Sequence, residues 1–332
     1  MHEPAFWWRE PGVAATLLSP FAAIYGAVAA GRLKQPGTKV SVPVICVGNF
    51  TLGGAGKTPT TIAIARMLIE AGERPFCLSR GYGGTETGPV RVDAAAHGAA
   101  HVGDEALLLT RIAPTIVSRD RVAGAHAAIE AGASVIVMDD GMQNPSLVKD
   151  ATIAVIDGRR GIGNAKVFPA GPLRAPLPAQ LRRANALLLL GDMADRSNRV
   201  VDAASGCLPV MRGRLVPDAD AVAALEKHKV LAFAGIGDPD KFFATVKAAG
   251  ITAPICRSFP DHHAYTAEEA SALVMQAEHE GLTLLTTEKD HIRMNSDPAL
   301  AALCARARTL PVTLDVDEKD ELRKLVLGAV CR

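Results

Sequence analysis

Val44-Ile45-Cys46-Val47-Gly48-Asn49-Phe50-Thr51-Leu52-Gly53-Gly54-Ala55-Gly56-Lys57-Thr58-Pro59 is an apolar strand-type run ending in a glycine cluster, then Lys-Thr, then helix-type sequence from Thr60 to Leu68. A phosphate-binding loop needs that order. The strand aims the chain at the ligand, the glycines let backbone N–H groups approach phosphate oxygens, and the helix N-terminus favours negative charge. Gly53, Gly54, Ala55, Gly56, Lys57, Thr58 and Pro59 form the expected nucleotide-binding set. Lys57 suits the β/γ-phosphates and the Thr58 hydroxyl suits Mg²⁺, so the expected ligand is a nucleoside triphosphate. The usual leading glycine of this motif is replaced by Thr51.

A second stretch supports the first. Ala133–Met138 is apolar and runs into Asp139-Asp140-Gly141. A phosphate-loop enzyme needs an acid at the end of a neighbouring parallel strand to hold the Mg²⁺ shell. Asp139 is expected nearer the metal, with Asp140 beside it; the competing reading is an ordinary Asp-Gly turn.

From Val42 onward strand-type runs alternate with helix-type segments. This predicts an α/β fold: a phosphate-loop-type parallel sheet with helices on both faces, its ligands at the carboxyl ends of the strands. A second α/β pattern follows a boundary near 208–220. The expected division is 1–40, a membrane-interface helix region; 41–212, the nucleotide-binding domain; and 213–332, a smaller α/β/α domain. Linker strands are expected near 208–216 and 309–316.

Composition narrows the function classes. The chain has 332 residues, 48% of them hydrophobic and 21% charged, which allows a sizeable core. A net charge of +1 lacks the basic footprint of nucleic-acid binders, so no nucleic-acid partner is expected. Six cysteines without Cys-x-x-Cys spacing suggest neither a disulfide framework nor a zinc site.

The N-terminus is distinctive. Trp7 and Trp8 precede a stretch, Val13 to Ala30, without a charge, and Arg32, Lys34 and Lys39 follow. Leu17, Phe21, Ile24 or Tyr25, and Val28 share one helical face. Paired tryptophans at one end and basic residues at the other suit a helix lying in a membrane interface. A helix packed on the protein's own core is the alternative.

Further clusters exceed what a generic NTPase needs. Ser79-Arg80-Gly81-Tyr82-Gly83-Gly84 follows a strand, and Val102-Gly103-Asp104-Glu105 opens a helix. Asp104 reads either as a helix cap or as a general base. A base role calls for a partner, and Phe259-Pro260-Asp261-His262-His263-Ala264-Tyr265 offers a histidine. Thr286-Thr287-Glu288-Lys289-Asp290-His291-Ile292-Arg293 is another polar cluster at a strand end.

Together VGNFTLGGAGKTP, SRGYGG, VGDEALLL, DDGMQ, GNAKVFPAGPLR, FPDHHAY and TTEKDHIR resemble, in order, the tetraacyldisaccharide 4′-kinase family of Gram-negative bacteria. The resemblance implies two α/β/α domains joined by a β-hairpin linker, with the active site in the cleft. It implies ATP- and Mg²⁺-dependent phosphorylation of the 4′-hydroxyl of a lipid A disaccharide 1-phosphate. The place would be the cytoplasmic face of the inner membrane, with the protein held there peripherally. It implies Asp104 as base, His262 as its partner, and Thr58, Asp139 and Asp140 at the metal. Arg80, Tyr82, Arg121, Gln143, Asn164 and Arg174 are the expected substrate-binding residues. Two departures stand out: Asn144 where the family usually has His, and Ala175 where it often has Glu. A nucleotide switch of the GTPase or metallochaperone type and a non-enzymatic membrane-surface scaffold are the rival readings.

Overall fold

The computed structural model describes residues 3–331. Its strands are β1 (Val44–Gly48), β2 (Pro75–Ser79), β3 (Val90–Arg91), β4 (Thr115–Val117), β5 (Val135–Asp139), β6 (Ala151–Asp157), β7 (Ala186–Leu190), β8 (Val210–Pro217), β9 (Lys229–Ala234), β10 (Thr252–Ser258), β11 (Thr283–Thr286), β12 (Arg308–Thr309) and β13 (Val312–Val316). The helices are α1 (Val13–Leu33), α2 (Lys57–Glu70), α3 (Ala99–Val102), α4 (Asp104–Thr110), α5 (Arg121–Glu130), α6 (Leu177–Leu181), α7 (Asp195–Ala204), α8 (Ala219–Ala223), α9 (Pro239–Ala248), α10 (Ala267–Glu280), α11 (Glu288–Asn295), α12 (Ala301–Arg306) and α13 (Lys319–Val330).

Nine strands form one sheet in the order β13-β8-β7-β6-β1-β5-β2-β4-β3, and only the two edge strands, β13 and β3, pair antiparallel. The central strands are apolar on both faces because helices cover both. Alternate residues sort accordingly. Cys46, Ile136, Met138 and Leu189 pack toward α5 and α7. Ile45, Val47, Val137 and Leu188 pack toward Ile64 and Leu68 of α2 and toward Leu322, Val326 and Ala329 of α13. A four-stranded parallel sheet, β10-β9-β11-β12, forms the second unit. Phe242 and Val246 of α9 cover one of its faces, and Leu273 of α10 and Leu303 of α12 cover the other.

The expected second unit, 213–332 with linker strands near 208–216 and 309–316, is narrower in the structure. β8 and β13 pair with each other inside the large sheet, and α13 packs on its α2 face. The chain leaves the first unit through β8 and returns to it through β13. Charge-rich α13 carries its apolar residues at helical spacing, a pattern that does not reveal which sheet it covers.

α1 is long and apolar enough to cross a membrane by length and composition alone. Its small residues Ala15, Ala22 and Gly26, with Leu33, face the protein, while Val13, Leu17, Phe21, Ile24 and Val28 are exposed. The bulky face therefore does not pack on the protein's own core. Trp7 is buried, its indole N–H donating to Pro169 O at 3.0 Å.

Leu322→Ala should cost about 2–5 kcal/mol of stability, the usual range for emptying a closed apolar site. Hydrogen exchange should quicken in β1 and α2. An effect confined to residues 218–311 would contradict the assignment of α13 to the first sheet.

Candidate functional site

The strand ends converge on a cleft of about 970 Å³ between the two units. β1 delivers the glycine loop and β5 delivers the acids. Gly53 (φ 96°) and Gly56 (φ 90°) both adopt backbone that side chains resist. A Cβ at Gly53 would lie 1.9 Å from Glu3 Oε1, since Glu3 leans over the loop while paired to Arg160 at 2.8 Å. Thr51, in place of the usual glycine, is buried and bridges to Leu173, while its carbonyl accepts from Arg174 Nε at 2.8 Å. The substitution thus ties the phosphate loop to the 164–175 loop.

Lys57 is buried, with Nζ 3.4 Å from Gly53 O and 3.8 Å from Asp140 Oδ2. Asp139 accepts from Thr61 Oγ1 at 2.9 Å, and its Oδ2 stands 3.4 Å from Thr58 Oγ1. Burial, with the charges of Glu105 and Asp140, pushes its pKa up to about 7. Asp140 has φ 49°, an uncommon region for a residue with a side chain. Burial raises its pKa, but Lys57 and Arg174 outweigh that and the net shift is downward. Arg174 Nη2 donates to it at 3.1 Å.

These acids fit a hard divalent cation. The donors are hydroxyl and carboxylate oxygens, Asp140 Oδ1 is buried without a hydrogen-bond partner among the described residues, and burial together with the charges of Glu105 and Asp140 keeps Asp139 hard to ionise. Among the described residues no group of three or more His, Cys, Asp or Glu forms a metal cage. Mg²⁺ needs only one or two carboxylates when substrate phosphates supply further oxygens.

Across the loop, α4 begins with Asp104. Its Oδ1 accepts its neighbour's N–H at 2.8 Å, whereas Oδ2 is buried with no partner at hydrogen-bond geometry. His262 Nδ1 stands 3.5 Å from that oxygen and Arg293 Nε 3.4 Å. Burial opposes charge on Asp104, yet His262, Lys289 and Arg293 outweigh it and hold its pKa at about 2. Reciprocally, Asp104 raises the pKa of His262 above its usual 6.5. His262 adopts φ 54° and packs on Tyr82, ring centroids 4.9 Å apart. His263 points elsewhere, to Glu269 at 2.7 Å.

Lys289 and Arg293, one helical turn apart on α11, supply the other cations. Lys289 Nζ donates to Glu105 Oε1 at 2.6 Å, and its pKa is raised because Glu105 and Asp104 outweigh burial. Fully buried Asp290 accepts from Thr287, Tyr265, Gly235 N and Arg293 Nη2, which fixes the arginine. Arg293 Nη1 is left without a partner. Sequence reasoning assigned no role to Glu105, Lys289 or Arg293. The available signal was the i, i+4 spacing of the two cations, which places them on one helix face.

The cleft is also lined by Gly54, Ala55, Pro59, Arg80, Tyr82, Arg121, Gln143 and Arg174. Arg80 and Tyr82 are exposed at its wall. Arg121 is buried, donates to Ser118 O at 2.7 Å, and is lowered to about 10 by burial and by Arg80. Gln143 Nε2 donates to Asn49 O at 2.8 Å, while its Oε1 is unpaired. Asn164 does not join them. It donates to Ala170 O at 2.9 Å and accepts from Lys166 N at 3.0 Å, so its polar atoms hold the 164–171 turn rather than facing the cleft. The expectation of Asn164 as a substrate ligand is corrected accordingly. Ala175 is buried against Leu33 and Ala179, and Asn144 accepts from the amide and hydroxyl of Ser146.

The sequence profile described as tetraacyldisaccharide-1-P 4′-kinase matches residues 14–331. The chain is 57% identical over 312 residues to a tetraacyldisaccharide 4′-kinase of Methylobacterium sp. (strain 4-46), covering 94% of each protein. It is 54% identical over 329 residues to one of Rhodopseudomonas palustris (strain BisB18), covering 98% of this chain and 95% of the relative. Its fold is similar to that of LpxK from Aquifex aeolicus crystallised in complex with ATP, with a TM-score of 0.74, 26% identity, and coverage of 95% of this chain and 99% of that one.

Asp104→Asn should remove the charge that raises His262. Histidine NMR titration should show the His262 pKa falling toward 6.5. An unchanged value would mean that Asp104 does not govern the ring.

Proposed function

The chain belongs to the tetraacyldisaccharide-1-P 4′-kinase family, and on that premise we propose how its cleft carries out the transfer. It is a kinase of lipid A biosynthesis. The reaction moves the γ-phosphoryl group of ATP to the 4′-hydroxyl of the acylated disaccharide 1-phosphate, releasing ADP. The observation that carries the mechanism is Asp104 Oδ2: buried, ionised, flanked by His262 and Arg293 but without a partner at hydrogen-bond geometry among the described residues, in the same cleft as Lys57.

Phosphoryl transfer is mostly positioning and charge stabilisation. The amides of the glycine loop cradle the phosphates, and Lys57 balances charge on the β- and γ-groups. Thr58, Asp139 and Asp140 would hold Mg²⁺. When bound, the ion neutralises charge on the phosphate oxygens. Asp104 accepts the sugar hydroxyl's proton as the oxygen bonds to phosphorus. A carboxylate with a pKa of about 2 is a weak base. Its role is therefore to orient the hydroxyl and take the proton late, as the oxygen becomes acidic in the transfer. His262 and Arg293 hold the carboxylate in place. Arg80, Tyr82, Arg121, Gln143 and Arg174 are assigned to substrate contacts.

α1 has a place in this scheme. A tetra-acylated substrate stays in the bilayer, so the enzyme works at its surface. The exposed stripe Val13, Leu17, Phe21, Ile24 and Val28 suits burial among acyl chains, with the protein lying at the cytoplasmic face.

Lys57→Ala should abolish transfer in a folded protein. Asp104→Ala and His262→Ala should each lower kcat by about 10²–10⁴-fold. The double variant should be little worse than the weaker single variant, because residues acting as a unit are non-additive. Multiplying losses would rule out the pair. Deleting residues 1–30 should weaken vesicle binding and raise the lipid KM more than the ATP KM; unchanged values would remove the membrane role of α1.

A further inference from the structure

Behind the catalytic cleft lies a second cavity of about 240 Å³, separated from it by the segment 142–149. Leu33 and Gly37, at the end of α1 and just beyond it, form one side, and Lys149, Arg182 and Arg183 border the space. Its walls are stitched together. Thr38 N donates to Ser146 O at 2.7 Å and Val148 N to Thr38 O at 3.0 Å. A Cβ at Gly37 would come within 2.6 Å of Pro145 O. Asn185 Oδ1 accepts from Thr152 N at 2.8 Å.

Among the described residues no carboxylate pairs with Lys149, Arg182 or Arg183. Asp150, next in sequence to Lys149, is occupied by Lys39 and by the Val44 amide. Among the described residues Lys149 Nζ donates only to a carbonyl, that of Asn144. Burial lowers the pKa of Lys149, and the charges of Arg183 and Arg121 add to that against Cys46. Such a group gains from an anion rather than from water. Two guanidiniums beside an ammonium suit phosphate oxygens.

Location selects the source. Arg182 and Arg183 directly follow α6, whose Ala179 packs with Leu33 on the last turn of α1. Apolar side chains exposed along α1 thus lead toward a basic cavity at its end. We propose that this cavity binds the phosphate of an anionic membrane-lipid headgroup, giving the enzyme a second lipid contact outside the catalytic cleft. The inference rests on α1 lying at the lipid surface, a reading that binding to neutral vesicles tests separately.

The experiment measures binding of the full-length protein to phosphatidylcholine vesicles with and without phosphatidylglycerol. Arg182→Gln/Arg183→Gln is compared with Arg323→Gln/Lys324→Gln, an equal charge change at exposed positions on α13. The cavity variant should lose at least roughly tenfold in affinity for anionic vesicles, and the α13 variant less than about twofold. Binding to neutral vesicles and kcat on detergent-dispersed substrate should stay unchanged in both. Lys149→Gln should reproduce the loss. Wild-type affinity in the cavity variants, or equal losses in the α13 variant, would overturn the proposal. Protection of Lys149 from acylation by inorganic phosphate, with vesicle affinity unchanged in the cavity variants, would assign the cavity to a free phosphate and overturn the lipid assignment.

Discussion

A buried carboxylate whose stabilising cations come from the other half of the molecule is the constraint on which this structure depends. Asp104 starts α4 in the first unit, while His262, Lys289 and Arg293 belong to the second. A charge taken out of water needs compensation, and within the first unit alone these partners are missing. The lowered pKa of Asp104, despite its burial, therefore depends on the two units being assembled as found. The packing serves that end: Ile292 of α11 inserts among Val102, Ala106 and Leu107, while Lys289 pairs with Glu105.

The rest of the interface follows the same principle. Arg111 meets Glu288, Lys241 meets Asp157, and Arg159 and Arg160 meet Asp238. Polar contacts of this kind exchange with water at modest cost, unlike a sealed apolar seam. Such an interface suits a cleft that must admit and release a nucleotide. The two strand passages, β8 outward and β13 back, confine relative movement because they are hydrogen-bonded to each other within the large sheet.

Much of this was legible in the sequence because local signals agreed. The glycine cluster follows β1 directly and opens α2, and Gly53 and Gly56 there take positive φ. β2, β5 and β7 fall on apolar runs with sharp ends, and α10 carries a capping box at Thr266 and Glu269. Where the sequence said less, the deciding interactions were distant. α13 shows an amphipathic stripe, but nothing local says that it covers β1 rather than β9. Asn164 sits in a motif shared with the family, yet its side chain is consumed by the turn around it. Lys289 and Arg293 lie in a polar cluster at a strand end, and only their pairing with Glu105 and Asp104 of α4, distant in sequence, gives them a place in the site.

The most direct measurement of the central claim is the identity of the product. Incubating the enzyme with ATP, Mg²⁺ and acylated disaccharide 1-phosphate, and reading the lipid by ³¹P NMR and mass spectrometry, distinguishes the outcomes. The account predicts one added phosphate, on the 4′ oxygen, matched by an equal amount of ADP and accompanied by little ADP when lipid is omitted. ADP release without a phosphorylated lipid, or a phosphate at another position, would contradict it.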